Sequence, residues 1–121
     1  LPEAWNQAYS DLLGITPTNP NDGVLQDVHW SNGLFGYFPS YTIGNLYAAS
    51  FRFQMEEDLP QMWSDVAAGE FGPILDWLRG KVHSHGHLMD APQIFSLAVG
   101  DRDPVSDLMA HLRGRQGALY N

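Results

Sequence analysis

Thr42-Ile43-Gly44-Asn45-Leu46-Tyr47-Ala48-Ala49-Ser50-Phe51-Arg52-Phe53-Gln54-Met55-Glu56-Glu57 carries a helical period, and its reading sets the fold class. Ile43, Leu46, Tyr47, Phe51 and Met55 fall along one stripe of a helix. Gly44 and Ala48 add a small patch on which another backbone can come close. Toward the C-terminus, Asp58-Leu59-Pro60 interrupts the pattern, and a short helix is expected over 61–68 around Met62, Trp63 and Val66. Gly72-Pro73 opens the next helix, with Ile74, Leu75, Leu78 and Val82 facing inward. Asp90 is placed to cap a helix that runs to Val99 and stops at Gly100. Asp103-Pro104 is a cap followed by proline at the first helical position. Val105, Leu108, Met109 and Leu112 then give an apolar stripe at i, i+3, i+4 and i+7.

Toward the N-terminus, residues 1–13 read as a helix with Trp5, Ala8, Tyr9 and Leu12 on one face and Gly14 as its stop. Residues 16–23 are dense in turn formers and make a loop, residues 24–30 have room for one or two helical turns, and Asn32-Gly33 signals another turn. No segment alternates in the manner of a strand. The expected fold is mainly α, a multi-helix assembly over 1–121 with a loop rich in glycine and tyrosine.

The chain has 121 residues, 44% hydrophobic and 17% charged, enough for one modest core. It has no cysteine, which removes thiolate metal sites, thiol nucleophiles and disulfides, and fits a reducing compartment. No apolar run approaches the ~18 residues of a membrane helix. The first residues lack the basic and apolar regions of a signal peptide, so a cytoplasmic location is expected. The missing initiator Met points to a processed chain or a fragment. Net charge is −8, and every Lys and Arg lies at or beyond Arg52. That distribution argues against nucleic acid and against anionic membrane as partners.

Chemistry concentrates in residues 27–45, where Asp27, His29, Tyr37 and Tyr41 share a stretch with three glycines. A bent backbone there can aim His29, Tyr37 and Tyr41 at a common point. His29 is available to carry a proton, Asp27 to orient it if the backbone bends, and each phenol to stabilise a developing oxyanion. The bland alternative is a pair of amphipathic core tyrosines with satisfied hydroxyls. His83-Ser84-His85-Gly86-His87 resembles a metal cluster at first sight. Residues two apart on a helix do not face each other, and Gly86 ends a helix inside the cluster. Histidines after Arg79 and Lys81 complement the negative helix end instead. His111 reads as a surface or boundary residue, Glu56, Glu57 and Asp58 as a solvated face, and Trp5, Trp30, Trp63 and Trp77 as core anchors. No His-Glu-x-x-His, Gly-x-Ser-x-Gly, Walker loop or dinucleotide fingerprint is present.

The run Gly23-Val24-Leu25-Gln26-Asp27-Val28-His29-Trp30, continued by Gly36-Tyr37-Phe38-Pro39-Ser40-Tyr41-Thr42-Ile43-Gly44-Asn45-Leu46-Tyr47-Ala48-Ala49, closely resembles a signature of the carboxypeptidase Taq family. The likeness extends more loosely through residues 73–79 and 90–92 to Leu119-Tyr120. Gly114 and Gly117 depart from it and are expected to weaken the last helix.

The resemblance implies the C-terminal part of a large helical zincin, a metal-dependent carboxypeptidase, usually a zinc enzyme. Its His-Glu-x-x-His helix, its downstream glutamate ligand and the arginine that receives the substrate carboxylate lie N-terminal to the matched region. That last role is therefore not carried onto Arg52. What carries over is His29 and Tyr41 as catalytic residues, with Tyr37 and Asp27 as substrate-binding residues and no metal ligand in this chain. The implied partners are a peptide substrate and the missing N-terminal portion, with a homodimer left open. A piece of such an enzyme is expected to be inactive alone and to expose apolar patches where the rest packed. The rival reading is a non-enzymatic helical module for peptide binding or dimerisation.

Overall fold

Proline near the start of a helix and glycine beyond its end punctuate this chain repeatedly, and the observed elements follow that punctuation. The computed structural model describes residues 1–120, apart from the side chains of Ala118 and Tyr120. Its helices are α1 (Pro2–Leu13), α2 (Val28–Ser31), α3 (Pro39–Asp58), α4 (Met62–Ala68), α5 (Gly72–Lys81), α6 (Ala91–Val99) and α7 (Pro104–Tyr120). Short 3-10 turns occupy Pro20–Asp22, Val24–Gln26 and His83–His85, and the described residues include no strand. None of the described helices is long and apolar enough to cross a membrane. The chain divides into two units, one over Leu1–Ser40 and one from Tyr41 onward.

In the first unit, Trp5 stacks on Tyr9 at 5.2 Å and meets the edge of Trp30 at 5.7 Å. Offset and edge-on ring pairs of this kind add stabilisation beyond the area they bury. Val24 is buried on the 3-10 turn that precedes α2. Gly23 lies so close to the 16–22 loop that a Cβ would sit 3.1 Å from the Pro17 Cβ and 3.3 Å from the Asn6 Oδ1. The backbone approaches Pro17 this closely because no side chain intervenes.

In the second unit, Trp77 of α5 and Phe95, Ala98 and Val99 of α6 form the buried cluster. Tyr47, Phe51 and Met55 of α3 pack against it. Tyr47 stacks on Phe95 at 4.3 Å, and Phe51 meets Trp77 edge-on at 6.1 Å. Tyr47, Phe51 and Met55 of the expected α3 stripe thus face the core, whereas Ile43 at its start is exposed. Arg102, just ahead of α7, straps that region to α3: its Nε donates to Gln54 Oε1 at 3.2 Å, one Nη to Asp107 Oδ1 at 3.4 Å, and the other Nη to Glu57.

Several expectations need correction. Helix α3 begins at Pro39, ahead of Thr42, because proline's fixed φ suits a first helical turn. Tyr41 therefore lies on a helix and not on the loop. Gly114 and Gly117, expected to weaken the last helix at ~1 kcal/mol each, do not end α7, which continues to Tyr120. Trp63 is 57% exposed, lying over the helix surface with its indole Nε1–H donating to Glu56 Oε1 at 2.8 Å. Leu75 is exposed as well. The acids 56–58 are not a bare solvated face. Glu56 accepts from Arg52 and Trp63, Glu57 from Arg102, and Asp58 from Trp77 and Gln54.

Candidate active-site segment around Asp27 and His29

Asp27 is the N-cap of α2, with extended backbone (φ −82°, ψ 95°) that turns its carboxylate back over the first helical residues. Its Oδ1 accepts the His29 backbone N–H at 3.0 Å. The same oxygen meets His29 Nδ1 at 2.6 Å. A carboxylate oxygen that already accepts can only accept again, so Nδ1 is the nitrogen carrying the proton toward Asp27. The condition set by the i, i+2 spacing, a bent backbone, is met by the cap geometry. Both side chains are withdrawn from solvent, His29 being 14% and Asp27 9% exposed. Low local dielectric strengthens a bond between such groups.

The residues after α2 close over the imidazole. Leu34 N–H returns to His29 O at 2.9 Å, and Gly36, at φ +77°, makes a turn that a side chain would strain. Tyr37 then stacks on the His29 ring with centroids 5.2 Å apart and planes 28° apart. Phe38 meets the same ring edge-on at 5.5 Å. The structure thus brings Asp27, His29 and Tyr37 together within the first unit. Tyr41 belongs to the second unit, on the first turn of α3, where it is 52% exposed. Asp27 is poorly placed for the substrate-contact role expected of it, because its exposed fraction is small and its Oδ1 is held by His29.

Two features escaped the sequence reading. Phe38 gave no signal, because an aromatic beside a proline reads as packing. The network Arg52–Glu56–Trp63–His111 was half visible in the i, i+4 pair of Arg52 and Glu56. Arg52 donates from Nε and Nη2 to Glu56 Oε1 at 2.9 and 2.7 Å, and its Nη1 lies 2.6 Å from His111 Nδ1. His111 is half-buried, as a boundary residue.

Helix α5 ends at Lys81, ahead of the histidine cluster, and His83–His85 form a separate 3-10 turn. Among the described residues, no group of three or more His, Cys, Asp or Glu is placed to hold a metal ion. The described residues do not fit a metal centre.

The family model described as carboxypeptidase Taq (M32) metallopeptidase matches residues 1–116. Thermostable carboxypeptidase 1 of Thermus thermophilus is 44% identical over 99% of this chain and 24% of its own length. Carboxypeptidase 1 of Bacillus subtilis is 47% identical over the same shares. The crystal structure of the M32 carboxypeptidase from Deinococcus radiodurans R1 superposes with a TM-score of 0.90 at 36% identity, over 99% of this chain and 24% of that one. All three are described by their names as carboxypeptidases. The chain belongs to the carboxypeptidase Taq (M32) metallopeptidase family. It spans about a quarter of the length of the curated relatives it matches.

Proposed function

We propose that this chain is the C-terminal part of a metal-dependent carboxypeptidase, in which His29 and Tyr41 stabilise negative charge developing on a peptide undergoing hydrolysis at its C-terminal bond. The observation that carries the reading is the Asp27–His29 pair, set inside the stretch that most resembles the family signature. With Nδ1 committed to Asp27, Nε2 is the nitrogen through which His29 would meet substrate. A proton there would be donated toward the developing oxyanion, with the Asp27 carboxylate balancing the charge on the ring. Tyr37, stacked on the imidazole, would fix the plane in which that donation occurs and offer its hydroxyl to the peptide. The Tyr41 O–H would be the second donor.

The metal is proposed to be zinc, held by the part of the family fold outside this chain, and the enzyme to work in the cytoplasm. The test is a full-length chimera in which this chain replaces the matching quarter of the Bacillus subtilis enzyme. Tyr41→Phe is expected to lower kcat by on the order of 10²–10³ with the melting temperature unchanged. Unaltered turnover returns Tyr41 to a packing role.

A further inference from the structure

The second unit carries an open trench between α3 and α7 that nothing in the proposed chemistry uses. One end is a cavity of about 420 Å³ lined by Asn45, Ala48, Ala49, Leu108 and Leu112. The other end, about 410 Å³, is lined by Trp63 and Arg115. Arg52 and His111 belong to both cavities, so the two are continuous along the helix pair. The floor is small and apolar because Ala48 and Ala49 occupy successive positions of α3. The wall on the α7 side is Leu108 and Leu112 of the apolar stripe, of which Leu112 is still 42% exposed. A stripe so regular on a surface helix is built to be covered.

We infer that this trench is the seat of a segment from the remainder of the family fold, one that lays an apolar ridge over Ala48 and Leu112 and sets a carboxylate against Arg115. The inference rests on the reading of the chain as part of a larger enzyme. Two observations choose this occupant. The backbone superposes at a TM-score of 0.90 on a relative of which it covers only 24%, so in that molecule the remaining three quarters of the chain is available to cover the matching surface. The charge at the far end is also specific. In a chain of net charge −8 with six cations, two of them, Arg52 and Arg115, stand at one cavity. The Arg52 charge is met by Glu56, whereas no acid among the described residues pairs with Arg115, which leaves it to recognise one from outside this chain. A second copy is the poorer occupant, because two chains of net charge −8 repel.

The chain has no cysteine, so a single one introduced by Ala48→Cys reports access to the trench floor. Maleimide labelling of that position is followed by mass spectrometry in the 121-residue chain and in the full-length chimera described above. The expected result is labelling at least tenfold slower in the chimera, together with an Arg115→Glu variant that lowers the melting temperature of the chimera but not of the isolated chain. Equal labelling rates in a chimera that hydrolyses peptides overturn the inference and leave the proposed function standing. Slow labelling in a folded chimera that hydrolyses nothing supports the seat and removes the catalytic reading. Labelling of the isolated chain that accelerates on dilution assigns the trench to a second copy and overturns the inference.

Discussion

Asp58 shows how one carboxylate ties stability to pH in this chain. The Trp77 indole Nε1–H donates to its Oδ2 at 2.7 Å and holds its pKa below the usual carboxylate value. Gln54 and the charges of Lys81 and Arg102 act in the same direction, against partial desolvation. The folded form therefore releases the proton more readily than the unfolded chain, where an aspartate titrates near pH ~3.9. Its contribution is complete above that value and is lost as the pH falls through the lower folded pKa. Urea midpoints of the chain and of Asp58→Asn should differ most near neutrality and converge below about pH 4. A constant gap across that range would assign the effect to packing of Trp77 and not to charge. None of this was legible from residues 56–58 alone, which read as a solvated face. The partner is nineteen residues away, and only the folded chain brings the indole to the acid.

At the scale of the element, what could be read was what is local. Helix α6 announced itself through Asp90 and Gly100, and both ends are where the sequence put them. Asp90 Oδ1 accepts Gln93 N–H at 2.9 Å while Gln93 Oε1 accepts Asp90 N–H at 3.0 Å, a reciprocal cap. Asp90→Ala should cost about 1 kcal/mol, measurable as a shift in the chemical denaturation midpoint. No shift would mean that burial of Phe95 and Val99 alone holds the helix. Tyr41 and Trp63 mark where local reading stopped. Proline at a helix start can lie before or after the first periodic residue, and the period of Ile43 and Leu46 gave no sign of the extra turn that put Tyr41 on α3. A short helix around Trp63 was foreseen correctly. Which of its faces turned inward depended on Glu56 and Arg52, one element away. For the site, the i, i+2 spacing of Asp27 and His29 stated a condition, a bent backbone, that the observed cap satisfies.

At the scale of the molecule, the apolar surface and the incomplete chemistry agree. Leu12, Ile43, Val105, Met109 and Leu112 are all exposed, on both units. A complete domain of this size rarely leaves so much apolar stripe uncovered. The described residues hold no metal-ligand cluster, while the family description is that of a metallopeptidase. The isolated chain is accordingly expected to hydrolyse no peptide with or without added zinc, in an assay that follows release of C-terminal residues. Hydrolysis that depends on zinc bound one to one would overturn the reading of the chain as part of a larger catalyst. The family was legible here because its signature is contiguous in residues 23–49, whereas a surface waiting for other chain has no sequence mark beyond an unspent stripe.

Helix α2 has four residues, far too few to be stable by itself in water. One oxygen of Asp27 both starts that turn and takes the proton of the imidazole on it. Initiation of the helix and fixing of the Nδ1 proton toward Asp27 are thus a single event. When the turn frays, the ring loses its orientation and its hydrogen bond to Asp27 together. Amide hydrogen exchange at His29 therefore serves as a local gauge of chemical readiness.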